Sequence, residues 1–250
     1  MNSEHAARWK SAAIMLAVIA LVGILDIKFL TWLFFALVLY FAIDESCKLW
    51  GAKFEEAIVV AAATWLVALF FPTPYMLIFI LLIVLASKLA YDKKLDKKLF
   101  LVALYPLVGI LFIWSLYLDW GMKALLWLLI IVAFSDVGAY YVGKKFGKTP
   151  FSPTSPKKTL EGVFGGVALA SIIGAIFISS SNFNFFIALL IAMLSSISSV
   201  FGDLFESYLK REAGVKDSGN LIPGHGGVLD RIDGYLFASV TLYILLELSK

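Results

Sequence analysis

Residues 99–142 read LFLVALYPLVGILFIWSLYLDWGMKALLWLLIIVAFSDVGAYYV, two apolar runs, 99–118 and 122–142, parted by the short turn Asp119–Gly121. Each run has the length a helix needs to cross the hydrocarbon of a bilayer, about 20 residues. Outward from this pair, further apolar runs centre on 11–25, 29–43, 57–71, 75–91, 160–181, 183–201 and 234–248. Several are short, but flanking residues or local thinning of the bilayer accommodate short spans. The expectation is an all-α, polytopic integral membrane protein with about nine transmembrane helices.

Composition points the same way. The chain has 250 residues, of which 61% are hydrophobic and 16% charged, against about 25% charged in an ordinary soluble domain. A soluble fold of this size cannot hide so much apolar surface. A disordered chain, a collagen and a disulfide scaffold are likewise excluded. Cys47 is the single cysteine and has no internal disulfide partner, and two histidines, His5 and His225, argue against a His-rich metal cage. The seven Trp and ten Tyr suit the two membrane interfaces. Arg8, Lys10 and the run Ala12–Leu25 resemble a signal-peptide core. Without a small-residue cleavage site before Asp26 and Lys28, a retained first span is expected.

Charge placement sets the orientation. With nine alternating spans, 18 of the 21 Lys and Arg fall on the side that holds the N-terminus, and 3 on the other: Lys28, Lys123 and Lys250. The positive-inside rule then puts the N-terminus and the long polar loops 143–159 and 202–233 in the cytoplasm, and the C-terminus outside. Long functional loops on a rigid scaffold are where chemistry usually resides.

Three constellations carry candidate chemistry. Just after the eighth run, Asp203, Glu206 and Lys210 share one face if the helix continues; carboxylates at a span end must be hydrated, paired or bound to a cation. In the second, Pro223, Gly224, Gly226 and Gly227 surround His225, and Asp230, Arg231 and Asp233 follow. Glycines let backbone N–H groups approach phosphate oxygens. The two carboxylates are expected to hold Mg²⁺ while the Arg meets phosphate. A helix cap explains Asp230 alone but not the group. In the third, Lys157 and Lys158 lie among Thr154, Ser155 and Thr159, which suits a phosphate site, whereas Lys93, Lys94, Lys97 and Lys98 read as topology and lipid attraction. Asp136 lies inside the sixth run and is a functional candidate by position; with Gly138 and Gly143 it is expected at a cavity near the cytoplasmic face. Asp26, Asp44, Glu45, Asp92 and Asp96 sit at loop edges and read as solvated. The segment Gly143–Thr149 is not a P-loop, because Val142 stands where the pattern needs Gly.

At these residues the sequence resembles the CDP-diacylglycerol synthase (phosphatidate cytidylyltransferase) family. Ser207, Lys210, Arg211, Lys216, Asp217, Gly219, Pro223, His225, Gly226, Gly227, Asp230, Arg231 and Asp233 all stand where its C-terminal signature has them. Asp136, Ala139, Tyr140, Gly143, Gly147 and Lys148, and then Ser155, Pro156, Lys158, Thr159, Glu161 and Gly162, are similar to two upstream segments. The resemblance covers roughly the second half of the chain, residues 99–250 of a single 1–250 membrane domain, and leaves 1–98 as scaffold helices available for dimer contacts. It implies transfer of CMP from CTP to phosphatidate with Mg²⁺, giving CDP-diacylglycerol and pyrophosphate, by a homodimer in the cell inner membrane. Asp203, Lys216, Asp217, His225, Asp230, Arg231 and Asp233 would then be catalytic. Ser155, Lys157, Lys158, Thr159, Lys210, Arg211, Gly224, Gly226 and Gly227 would bind substrate phosphate. Asp203 and Asp230 would share the Mg²⁺, with Asp233, Asp136 and Glu206 as further ligands, in part to a second cation. No nucleic-acid partner is expected. The alternatives are a related CTP-dependent lipid enzyme, acting on an ether lipid or a polyprenol, and a cation or phosphate transporter with Asp136, Asp203 and Asp230 along its pathway.

Overall fold

A computed structural model describes residues 3–250 and, apart from residues 3–7 and Asp92, their side chains. The expectation for Asp92 therefore lies outside it. The helices are α1 (Ser3–Leu25), α2 (Lys28–Trp50), α3 (Phe54–Ala68), α4 (Leu77–Asp92), α5 (Leu99–Val102), α6 (Val108–Trp120), α7 (Met122–Phe146), α8 (Leu160–Ser179), α9 (Phe185–Glu212) and α10 (Leu229–Leu248). A wide turn of helix at Ala103–Leu107 joins α5 to α6, so each expected apolar run falls on one helical segment. Among the described residues seven segments are both long and apolar enough to span a membrane. The other two are α3, with 15 residues, and α10, which carries Asp230, Arg231, Asp233 and Glu247.

The chain divides into two compact units. The first comprises the N-terminal helices through Ser115 together with Glu212–Ile232; the second comprises Leu116–Arg211 and Asp233–Lys250.

In the first unit, Gly51 ends α2 in the left-handed conformation (φ 63°), and its N–H returns to the Cys47 carbonyl. Lys98 Nζ donates to the Gly51 carbonyl at 2.9 Å. Pro106 interrupts the α5–α6 segment, since it lacks an N–H and crowds the preceding turn. The Tyr105 carbonyl beside it accepts from the buried Ser46 hydroxyl at 2.9 Å. A backbone group freed in an apolar environment must find such a partner. Trp114 Nε1 likewise donates to the Ala68 carbonyl at 3.0 Å.

In the second unit, α7 and α8 meet through glycines. A Cβ at Gly138 would stand 2.8 Å from Gly166 Cα and 2.9 Å from the Gly165 carbonyl oxygen, and one at Gly143 would stand 3.2 Å from Thr159 Oγ1. Gly138 and Gly143 thus bring two backbones together, the small-residue mode of packing in membranes. A two-stranded antiparallel hairpin, β1 (Pro150–Ser152) and β2 (Ser155–Thr159), leads into α8.

The expected loops are shorter than drawn. Helix α7 runs to Phe146 and α9 to Glu212, because Lys144, Lys145, Lys210 and Arg211 favour the C-terminal turns they occupy. Replacing Gly138 by Val should destabilise the α7–α8 pair by about 1–3 kcal/mol, the usual cost of overpacking. Thermal unfolding of the detergent-purified variant checks this, and an unchanged midpoint would refute the close packing.

Candidate active site

The second unit builds a charged site at helix ends. Thr159, the last residue of β2, caps α8 by accepting from Gly162 N at 3.2 Å. Glu161 in the first turn of α8 accepts from Lys148 N at 3.0 Å, Thr149 N at 3.2 Å and Thr149 Oγ1 at 2.9 Å. The hairpin is thereby tied at both ends. Side chains alternate along a strand, so Lys157 is exposed while Lys158 turns inward and is half-buried. The Lys158 ammonium pairs with the Asp203 carboxylate of α9. Asp203 Oδ1 also accepts from Ser207 Oγ at 3.4 Å.

Helices α9 and α10 approach closely at two glycines. A Cβ at Gly202 would stand 2.5 Å from the Asp233 carbonyl oxygen and 3.2 Å from Gly234 Cα; one at Gly234 would stand 2.5 Å from Ser199 Oγ. This crossing sets Asp203 beside Asp233. The charges of Asp203, Asp136 on α7 and Lys210 all act on Asp233. Glu206, fully buried, pairs with Lys210 at 2.5 Å, so the shared face expected of a continuing α9 resolves into two neighbouring ion pairs. Ser155 lies on β2, opposite Ser152, and Arg211 is exposed at the end of α9.

The first unit holds the glycine-rich loop. Ile222 N donates to the Gly226 carbonyl at 2.9 Å, and His225 N to the Ile222 carbonyl at 2.8 Å. The result is a tight turn that needs positive φ at Gly224 (75°) and Gly226 (83°). His225 Nδ1 is buried there without a hydrogen-bond partner, an arrangement a bound ligand would relieve. Ser11 Oγ donates to the Pro223 carbonyl at 2.7 Å. Asp230 Oδ2 accepts from Gly227 N at 2.7 Å and from Ser218 N at 2.9 Å, with Ser218 Oγ also 2.9 Å away. Asp230 thus fastens its own loop. Lys216, Asp217 and Arg231 are exposed.

Sequence reasoning missed Glu45. Read as solvated, it is 3% exposed and accepts from Val228 N, Leu229 N and Ser218 Oγ at 2.8–2.9 Å. Hydropathy ended the second run at Ile43, whereas α2 continues to Trp50 and takes Glu45 inside. A carboxylate within a helix that long is a candidate by default; the signal was Glu45 lying between an apolar run and the Gly51 stop.

A model of the cytidylyltransferase family matches residues 6–249. The chain belongs to that family. The phosphatidate cytidylyltransferase of Helicobacter pylori (strain ATCC 700392 / 26695) is 40% identical over 246 residues, 97% of this chain and 92% of that protein. Proteins of the same name from Bacillus subtilis and Synechocystis are 42% and 46% identical over 133 and 129 residues. These matches cover 52% and 48% of this chain, and 49% and 44% of those proteins. Family membership thus extends through the N-terminal helices, where the sequence alone offered only generic apolar spans.

Replacing Glu161 by Ala should free the hairpin without unfolding the helices. Limited trypsin digestion should then cut after Lys157 and Lys158 markedly faster than in the parent protein. An unchanged cleavage rate would show that Glu161 does not hold the hairpin.

Proposed function

We propose that the chain transfers CMP from CTP to phosphatidate, giving CDP-diacylglycerol and pyrophosphate. The observation that carries this reading is the 40% identity, over 97% of the chain, to a protein named phosphatidate cytidylyltransferase. A phosphatidate oxygen forms the new bond to the α-phosphorus of CTP as the bond to pyrophosphate breaks. The attacking phosphate is already anionic, so no strong general base is needed. Catalysis then rests on positioning and on neutralising charge.

Lys158 is assigned to substrate phosphate: its pairing with Asp203 keeps the ammonium in place until a phosphate competes for it. Arg231, exposed at the start of α10, is assigned to phosphate by its bidentate geometry. From the family resemblance, Lys157 and Arg211 of the second unit and the backbone of Gly224 and Gly226 of the first are assigned to phosphate, and Lys216, Asp217 and His225 to the catalytic group.

Asp203, Asp233 and Asp136 are hard oxygen donors of the kind Mg²⁺ takes. Among the described residues no three such groups stand close enough to hold a metal by themselves. Mg²⁺ usually takes one or two carboxylates and completes its shell with phosphate oxygens and water. Bound there, the metal would neutralise charge on the CTP phosphates. Asp230 and Glu206, expected as ligands, are assigned instead to their loop and to Lys210. The homodimer is carried over from the family resemblance alone.

A cytoplasmic side of a bacterial-type inner membrane for the hairpin and for the glycine-rich loop is supported by the 18 to 3 split of Lys and Arg and by CTP being a cytoplasmic nucleotide. The lipid then enters from the inner leaflet.

In an assay with CTP, phosphatidate and Mg²⁺, Lys158→Ala or Arg231→Ala should lower kcat/KM by about 2–4 kcal/mol of transition-state stabilisation, and Asp203→Asn by at least as much. Changing Lys93, Lys94, Lys97 and Lys98 together to Gln should matter little. A larger loss in the four-Lys variant than in either single variant would overturn the assignment. For orientation, Ser152→Cys and Ser249→Cys in a Cys47→Ala background should differ toward a membrane-impermeant thiol reagent on intact cells. Only the Ser249→Cys protein should react; the reverse pattern, or equal labelling, would remove both the nine-span topology and the cytoplasmic site.

A further inference from the structure

Glu45 meets a loop that lies 173 residues away in sequence. Its Oε1 accepts from Val228 N at 2.9 Å, and its Oε2 from Leu229 N at 2.8 Å. These amides open α10, where N–H groups have no partner within the helix. At the other end of the loop, Ser218 Oγ lies 2.8 Å from Glu45 Oε2 and 2.9 Å from Asp230 Oδ2. One carboxylate therefore holds both the entry and the exit of the glycine-rich loop.

The neighbouring glycines fit this role. A Cβ at Gly219 would stand 2.5 Å from Glu45 Oε1, and one at Gly227 would fall on both Glu45 oxygens and on Ser218 Oγ. These two positions lack side chains because the carboxylate occupies the space. Between them, the Ile222–Gly226 turn carries Pro223, Gly224 and His225 as a closed unit.

We infer that Glu45 is a positioning residue for the nucleotidyl transfer: from α2 it clamps the two ends of the 218–229 loop and fixes the turn that bears His225. The kinetic part of this inference rests on the activity proposed above; the clamp itself does not.

The test uses the full chain, purified in detergent, with Leu221→Cys in a Cys47→Ala background. Leu221 is half exposed at the loop and carries no assigned role. The rate of maleimide labelling reports loop opening, and kcat and KM for CTP are measured on the same proteins. Adding Glu45→Ala should raise the labelling rate about tenfold or more and lower kcat/KM about 100-fold at temperatures well below the melting of the variant. Glu45→Gln keeps one acceptor oxygen, so it should lose only about tenfold; it also keeps the test open if Glu45→Ala fails to accumulate. Ser218→Ala added to Glu45→Ala should cost little more, because both act through one clamp.

An unchanged labelling rate in both Glu45 variants would overturn the clamp. Faster labelling with parental kcat/KM would overturn the positioning role, as would fully multiplicative losses in the double variant. If the parent protein makes no CDP-diacylglycerol, the activity proposal fails by itself, and the labelling rates still decide the clamp.

Discussion

A carboxylate carried on a membrane-length helix must find donors inside the protein, and that constraint organises each unit of this chain. In the first unit, Glu45 collects two backbone amides and a hydroxyl. In the second, Asp203 collects Lys158, and Glu206 collects Lys210. Each set of donors comes from a segment that would otherwise lack a fixed path: the loop before α10, the hairpin before α8, and the last turns of α9. Polar satisfaction and placement of the site are thus one event. Small residues make it possible, since α9 and α10 can bring Asp203 beside Asp233 only where Gly202 and Gly234 let the backbones meet.

Much of this was legible in the sequence because hydropathy reports on the solvent, which for most of these residues is lipid. The runs 99–118 and 122–142 locate α5–α6 and α7 to within a few residues, and Asp203 stands out as a charge directly after an apolar run. Helix ends were less legible. Hydropathy stops where the bilayer stops, but hydrogen bonding carries α9 on to Glu212 and α2 on to Trp50. That is why Glu45 was read as solvated: its donors lie far away in sequence, and no local spacing announces them. The hairpin was hidden for a related reason. Its strands are short, and they are held by Glu161, which reads locally as an ordinary first-turn acid of α8.

The ion pairs say more about specificity than about stability. Burying Glu206 with Lys210 costs desolvation that their attraction largely offsets, so an apolar pair of the same volume would hold α9 about as well. Lys158 and Asp203 differ in being only half-buried. That pair can open without leaving a charge stranded in an apolar medium, which the more deeply buried Glu206–Lys210 pair cannot. The difference in burial separates a fixed framework contact from one that water or an anion can reach.

The signature from Ser207 to Asp233 is continuous in sequence but serves two structural units, with Glu212–Ile232 in one and the flanking residues in the other. Asp230 and Asp233 illustrate the consequence. They stand three residues apart on α10 and look equivalent as a pair of acids at a helix start. Asp230 turns back to Ser218 and Gly227 of its own loop, while Asp233 lies where α10 meets Gly202 of α9, next to Asp203. A dense motif therefore divides its residues between different partners: Asp230 fastens its own loop, while Asp233 lies where α9 and α10 cross. The donors around each carboxylate, rather than its place in the motif, decide which task it takes.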